Sequence, residues 1–392
     1  METFEEKIKI RKIINSMRIG ILSPHSSHNH GTVLQALALA KYISNLGVEC
    51  EYIQCGLYKT LRRGNRLKKS LYLFLHPTYK KILKQNKERN RKDLNYSFLV
   101  EPEFKAIVAK NREFVDRFIP VSKKWVKISH IGRLPYDRFI VGSDQTWSPY
   151  ALFQYSPYYL RQVKAPSKKF SYGCSLGSTS NFPEEYLSFI TKHLSSFKLL
   201  SCRERSNCEM LQKMLGKEVS WVVDPTLLLC RDDWKQYMTP VSMPKEYIVC
   251  YILGERNCIS AYAEELGRRK QLPVYYIMTR PSSCNHENVL KDIGAGEFLW
   301  LIDNCQYLVT DSFHGCVFSI NFRKNMMAFN KFEGNELDNA RIFDLLSSYG
   351  LDSHFVADAT YRDPEQINYE QVHNILQERR KLSMDYINKV IG

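Results

Sequence analysis

Met17-Arg-Ile-Gly-Ile-Leu22, a polar loop from Ser23 to Gly31, Thr32-Val-Leu-Gln-Ala-Leu-Ala-Leu-Ala-Lys-Tyr-Ile-Ser-Asn-Leu46 closed by Gly47, and Glu49 to Gln54 form one continuous reading. The first and last runs are short and apolar and suit buried strands. The middle one is a strong helix former that stops at glycine. Strand, helix and strand in that order make a βαβ unit, the building block of a parallel sheet.

Outward from this unit the same alternation continues. Helices are expected over Glu103 to Phe118, Glu184 to Phe197 and Ser206 to Leu215. Short strands are expected at Phe139 to Ser143, Lys169 to Cys174, Leu199 to Cys202 and Trp221 to Asp224. The stretch 232–246 carries Pro240 and Pro244 among polar residues and reads as a linker. Beyond it strands at Tyr247 to Leu253, Val274 to Met278, Tyr307 to Thr310 and Met326 to Phe329 alternate with helices at Cys258 to Arg269, Glu297 to Asn304 and Gly315 to Phe322. The expected class is therefore α/β, with two doubly wound domains facing a cleft. The divisions are a leader over 1–16, an N-terminal domain over 17–231, the linker, and a C-terminal domain over 247–392. The last helix is expected to return to the N-terminal domain. In such sheets ligands bind beyond the carboxyl ends of the strands, which makes the cleft the natural site.

The 392 residues are 44% hydrophobic and 25% charged, an ordinary globular composition that excludes collagen-like, mucin-like and wholly disordered classes. Apolar runs such as Tyr247 to Leu253 are far shorter than the ~20 residues of a spanning helix. The first residues, Met-Glu-Thr-Phe-Glu-Glu-Lys, hold no apolar segment, so no signal peptide is expected. Eleven scattered cysteines without a Cys-x-x-Cys pair suit a reducing compartment and argue against a zinc ribbon. These features together predict a cytoplasmic protein.

The net charge of +15 is local. Between Lys59 and Lys92 stand thirteen Lys/Arg and one acid, Glu88, which leaves only +3 for the remainder. This basic insertion, 59–92, contains a block of leucines and aromatics bracketed by lysines, as interfacial segments do. The expectation is contact with an anionic membrane surface on the inner face, with a solvated basic helix pair as the alternative. Nucleic acid is not expected, because the aromatics cluster as one apolar block instead of being spaced as stacking platforms.

Four strand-to-loop junctions gather polar residues beside glycine: His28-Asn-His-Gly31 with Gln35, Gly142-Ser-Asp-Gln-Thr-Trp147, Ser201-Cys-Arg-Glu-Arg-Ser206 and Thr310-Asp-Ser-Phe-His-Gly315. Three of them open a helix, whose free N–H groups attract phosphates and carboxylates. The first lacks the Gly-x-Gly-x-x-Gly spacing of dinucleotide binders, and no Walker-type motif occurs. His25, His28 and His30 form a histidine cluster without an acidic or cysteine partner at suggestive spacing, so no metal is expected.

Six stretches in order, Asn29-x-Gly31-x-x-Leu34-Gln35-Ala36, Val141-Gly-Ser-Asp-Gln-x-Trp147, Ser171-Tyr-x-x-Ser-x-Gly177, Ser201-x-Arg-Glu-x-Ser206, Asp224-Pro-Thr-Leu-Leu228 and Thr310-Asp-Ser-Phe-His-Gly-x-x-Phe-Ser319, resemble the polysaccharide pyruvyl transferase family. The resemblance runs from about Met17 to about Leu351, and Asp-Ser-Phe-His-Gly is its most specific piece. It implies two Rossmann-like domains arranged as in glycosyltransferases of the B type. It also implies transfer of pyruvate from phosphoenolpyruvate, as co-substrate and with no other cofactor, onto two hydroxyls of one sugar. A cyclic ketal forms and phosphate is released, in the synthesis of capsular or other cell-surface polysaccharide. The acceptor implied is a lipid-linked oligosaccharide.

The residue types fit that chemistry, which needs a proton onto the methylene carbon, a base for each attacking hydroxyl and stabilisation of the departing phosphate. Arg203 matches the family's donor-binding arginine, and a guanidinium fork suits phosphate and carboxylate. His314 is the candidate to bind the phosphate and hand it a proton as it leaves. Ser312, Phe313, Gly315 and the N–H groups through Cys316 would complete an anion cradle. Asp144 is the candidate base or sugar ligand, with helix capping as its alternative role and Asp311 as the other carboxylate. Asn29, Gly31, Gln35, Gln145 and Trp147 suit acceptor recognition, and Arg341 a contact with the anionic part of either substrate. A nucleotide-sugar glycosyltransferase of the same architecture is the alternative function. A non-catalytic binding protein is a third.

Overall fold

A computed structural model describes residues 17–55, 102–149, 156–177, 182–254, 257–279, 286–330, 336–357 and 360–392. The leader and the basic insertion lie outside the described residues. In the N-terminal half, β1 (Arg18–Leu22), β2 (Glu49–Tyr52), β3 (Arg138–Val141) and β4 (Lys169–Ser171) form a sheet in the order β2-β1-β3-β4. Every pairing is parallel, with Ile21 opposite Tyr52 on one side and Ile140 on the other. Two further strands, β5 (Ser201–Cys202) and β6 (Ser220–Trp221), pair in parallel and continue the sheet through bridges from Leu199 to Phe170 and from Cys202 to Cys174.

The helices of this half are α1 (His30–Asn45), α2 (Pro102–Phe118), α3 (Glu184–Leu194), α4 (Arg205–Leu215) and the short α5 (Arg231–Lys235). α1 begins where Asn29 Oδ1 accepts the Gly31 N–H at 3.0 Å, and twelve of its sixteen residues are buried. A helix apolar all round has no solvent face and belongs in the middle of a molecule.

The C-terminal half holds six parallel strands: β7 (Ile248–Tyr251), β8 (Val274–Ile277), β9 (Val289–Leu290), β10 (Tyr307–Thr310), β11 (Asn325–Phe329) and β12 (Phe355–Val356). Their order is β12-β11-β10-β7-β8-β9. Its helices are α6 (Asn257–Lys270), α7 (Ala295–Asn304), α8 (Phe313–Phe322), α9 (Glu336–Ser347) and α10 (Tyr369–Ile391). α8 begins two residues before the expected Gly315 because the Ser312 hydroxyl caps it, accepting from the Gly315 N–H at 3.3 Å. That shift puts His314 inside the first helical turn.

Each sheet reverses its strand order once, between β1 and β3 in the first and between β7 and β10 in the second. Such switch points leave a crevice beyond the carboxyl ends of the strands. One apolar core, which includes Ile21, Leu37, Tyr251, Phe298, Phe318 and Ile387, runs through both halves and fuses them. α10 starts in the C-terminal half and crosses over. Ser383 Oγ accepts the Val223 N–H at 2.9 Å, and Tyr386 OH donates to the Ser171 carbonyl at 2.7 Å. Sequence periodicity revealed neither β9, β12 nor α9, since two-residue strands leave no pattern to read.

Candidate functional site

The two switch points face each other, and their loops supply the polar side chains. From the N-terminal sheet, Asp144 follows β3, Arg203 and Glu204 follow β5, and Asp224 follows β6. From the other half, His314 lies in the first turn of α8 and Arg341 on α9. All but Arg341 stand beyond the carboxyl end of a parallel strand.

Asp224 is the centre of this group. Its Oδ1 accepts from Thr226 N at 3.0 Å and Thr226 Oγ1 at 2.7 Å, an aspartate cap enforced by the intervening Pro225. That leaves Oδ2 pointing inward. Arg203 Nη1 donates to it at 2.8 Å, and His314 Nε2 lies 3.6 Å away. A guanidinium from one half and an imidazole from the other thus meet at one oxygen atom. Burial alone would push the Asp224 carboxyl up. The His314 and Arg203 charges, with the Thr226 hydrogen bond, outweigh it and hold the group well below the ordinary aspartate range.

Arg203 is held by three carboxylates: Asp224, Glu204 Oε1 at 3.1 Å from Nε, and Asp144 Oδ1 at 3.5 Å from Nη2. Its side chain is 1% exposed, and the ring of Phe313 covers the guanidinium with its centre 4.4 Å from Cζ. The carboxylates keep it charged despite burial. Arg203 Nη2 and His314 Nε2 are nonetheless buried without a hydrogen-bond partner. Each faces only an ion-pair carboxylate, Asp144 at 3.5 Å and Asp224 at 3.6 Å, and buried polar atoms left without a hydrogen bond mark a candidate place for a ligand.

Asp144 adopts φ 75°, the left-handed region that a non-glycine residue occupies only under constraint. In that conformation Oδ1 accepts from the Gln145 N–H at 2.9 Å and Oδ2 from Thr32 Oγ1 at 2.9 Å. Desolvation is the largest influence on its carboxyl and raises it. Arg203, His314 and the Thr32 hydroxyl together more than cancel it, so Asp144 stays ionised. It caps no helix.

Several expected ligands serve the framework instead. Trp147 is fully buried, its indole N–H donates to the Tyr158 carbonyl at 3.0 Å, and it packs edge-on to Phe197. No face is left for a sugar. Gln35 is also fully buried and donates to the Pro24 carbonyl at 2.8 Å and the Thr32 carbonyl at 2.9 Å, which ties the first loop to α1. Gly31 matters for what it lacks, because a Cβ there would overlap the His314 imidazole. Asp311 spends both oxygens on backbone N–H groups, those of Leu253 and Gly254, at 2.6 Å each. It fastens the loop after β7.

The cradle at α8 is smaller than expected. The N–H groups of Ser312, Gly315 and Cys316 are engaged by Thr310 Oγ1, Ser312 Oγ and the Ser312 carbonyl. Gln145 and Arg341, both expected to meet substrate, pair with each other across the halves. With its amide turned so that the oxygen faces Arg341, Gln145 accepts from Arg341 Nη1 at 2.8 Å and Nη2 at 2.7 Å. Phe313 contributes its ring, stacked between the Arg203 and Arg341 guanidinium groups. Of the histidine cluster, His30 is buried against Phe298 and Tyr251 beside Asn111, and desolvation pushes it down to about 4.

Asp224 and Glu204 were not among the residues expected to act. Both stood inside recognised stretches, and their signal was position: each lies just past a short strand, Glu204 directly beside Arg203 and Asp224 before Pro-Thr. A narrow cleft opens on Arg203, Glu204 and Asp224, with Trp221, Phe313 and Arg379 among its walls.

The model of the family described as polysaccharide pyruvyl transferase matches residues 29–330. The comparison with curated proteins returned no significant match. Among solved structures, the UDP-GlcNAc 2-epimerase of Methanocaldococcus jannaschii superposes with a TM-score of 0.51 at 11% identity, covering 92% of each chain. The UDP-N-acetylglucosamine 2-epimerase of Rickettsia bellii gives 0.46 at 9% identity, over 95% of this chain and 98% of its own. At such identities the first of these establishes the architecture only: paired Rossmann-like halves of the glycosyltransferase-B type.

Proposed function

The chain belongs to the polysaccharide pyruvyl transferase family, and we propose that it transfers pyruvate from phosphoenolpyruvate onto two hydroxyls of one sugar, closing a cyclic ketal and releasing phosphate. One observation carries this reading. Arg203 and His314 come from opposite halves to the same Asp224 oxygen, and each keeps a buried nitrogen unsatisfied. A pair of nitrogen donors that close suits a small dianion, with the guanidinium holding charge and the imidazole able to pass a proton to the phosphate as it departs. In this reading Asp144, ionised and anchored by Thr32, takes the proton of an attacking hydroxyl. Asp224 orients both donor-side cations.

The acceptor in this reading is a lipid-linked oligosaccharide of a cell-surface polysaccharide, approached at the inner membrane face by the basic segment 59–92. Among the described residues no helix is long and apolar enough to cross a membrane.

Incubation with phosphoenolpyruvate and galactose- or mannose-type glycolipids tests the proposal. Phosphate should appear together with an acceptor heavier by one pyruvate ketal, and phosphoenolpyruvate should raise the melting temperature where uridine diphosphate does not. Stabilisation by the nucleotide alone, with no phosphate released on any acceptor, would overturn it in favour of glycosyl transfer.

A further inference from the structure

Of the three requirements of pyruvyl transfer, the residues placed so far meet two: Asp144 as base, and His314 with Arg203 at the leaving phosphate. No group has yet been assigned to deliver a proton to the methylene carbon. Glu204 meets the conditions for it. It occupies the N-cap position of α4, where a carboxylate ordinarily accepts a backbone N–H, yet its side chain makes no cap bond. The side chain turns instead toward Arg203, whose Nε donates to Oε1 at 3.1 Å. The other oxygen, Oε2, is buried with no hydrogen-bond partner, in a residue that lines the cleft beside Phe313 and Arg341. An ionised carboxylate would leave that buried oxygen's charge poorly compensated, with only the Ser175 hydroxyl as its polar neighbour, whereas a protonated one carries an O–H in a residue that borders the cleft.

Three carboxylates surround Arg203, and their surroundings separate them. Asp144 and Asp224 lie below their ordinary value, whereas burial raises Glu204 above its own. The guanidinium charges of Arg203 and Arg341 and the Ser175 hydroxyl oppose that rise without cancelling it. Among the described residues the thiols of Cys174 and Cys202 also face Glu204, both pushed up by burial and therefore neutral, and Asp224, Asp344, Tyr349 and Arg379 line the same cleft. Carboxyl groups driven apart in this way divide into an acid and a base.

We propose that Glu204 is the general acid that protonates the methylene carbon of phosphoenolpyruvate; this rests on the donor assignment above. In the first step a sugar hydroxyl oxygen bonds to C2 and gives its proton to Asp144, while the C2–C3 π electrons take the Glu204 proton and the methylene becomes a methyl. Asp144 then passes that proton to solvent, and in the second step the other hydroxyl bonds to C2 and gives its proton to Asp144. The C2–O bond to phosphate breaks, and the phosphate departs with a proton from His314. Solvent takes the proton from Asp144 and returns one each to Glu204 and His314.

Turnover in deuterium oxide, with phosphoenolpyruvate and an accepted glycolipid, tests the assignment. Wild type should place one deuterium in the ketal methyl, with a rate that falls as pH rises through an alkaline limb. Glu204→Gln should take the same melting shift from phosphoenolpyruvate, lose about 10²–10⁴-fold in kcat and shift the alkaline limb to the one that His314 alone supplies. Normal kcat in Glu204→Gln, or loss of phosphoenolpyruvate binding along with turnover, would overturn the proposal, the second outcome making Glu204 a binding residue. If Glu204→Gln does not fold, Glu204→Asp decides: a slowed enzyme with a displaced alkaline limb supports the proposal, and an unmoved limb overturns it. Wild type that neither binds phosphoenolpyruvate nor releases phosphate would defeat the donor assignment itself, a result distinct from any variant's.

Discussion

At the switch point of the N-terminal half, Asp224 gives one oxygen to its own loop and turns the other toward Arg203 and His314. At the switch point of the C-terminal half, Asp311 gives both oxygens to the backbone of the loop after β7. Both aspartates are buried and lie beyond the carboxyl ends of parallel strands. What separates them is what remains after local hydrogen bonds are satisfied. Asp311 ties both oxygens to the backbone of its own half, whereas Asp224 orders two cations from different halves. The N-terminal crevice thus supplies the carboxylates and the guanidinium, and the C-terminal crevice a rigid helix start carrying one imidazole.

The largest test of this division removes the charge at its centre. Arg203→Ala strands the buried carboxylates of Asp144 and Asp224 and takes the partner of Glu204, and should cost about 3–5 kcal/mol of stability along with all turnover. His314→Ala should abolish turnover with a much smaller melting shift. Equal destabilisation by the two in thermal unfolding would erase the distinction between the halves.

Replacing each aspartate by its amide sharpens the comparison. The folded Asp224 carboxyl lies below the ordinary value of about 3.9. Its ionised form therefore adds stability that is complete above that value and is lost as pH falls through the lower folded one. Asp224→Asn should lower stability by about 3 kcal/mol at pH 7, and the gap from wild type should narrow under strong acid. Asp311→Asn should cost about 1–3 kcal/mol through one lost backbone bond, with the pH limbs of turnover unmoved. Urea midpoints across pH and pH–rate profiles would check both. The smallest effect is expected at Trp147, where Phe should cost about 1–2 kcal/mol and leave the acceptor KM unchanged. A raised KM there would return the indole to sugar recognition.

Much of this was legible along the chain. The βαβ unit at 17–54 carried the fold class, because helix and strand differ in period and Gly47 punctuates them. Arg203, His314 and Asp144 stood out as polar residues at strand ends. Trp147 and Gln35 misled for a physical reason: an indole or amide in a polar loop reads the same whether its polar edge finds a substrate or a neighbouring carbonyl. Gly31 reads as a turn glycine until His314 is placed against it.

Local sequence determined the parallel sheets, the helix starts and the identity of the reactive side chains, since periodicity, caps and residue chemistry act within a few positions. Which of those side chains share a carboxylate, which are buried in the core, and which carboxyl is left without a partner are questions about groups 20 to 170 residues apart. Only the crossing of two sheets through one common core decided them, because burial and charge act across space and leave no periodic mark in a chain.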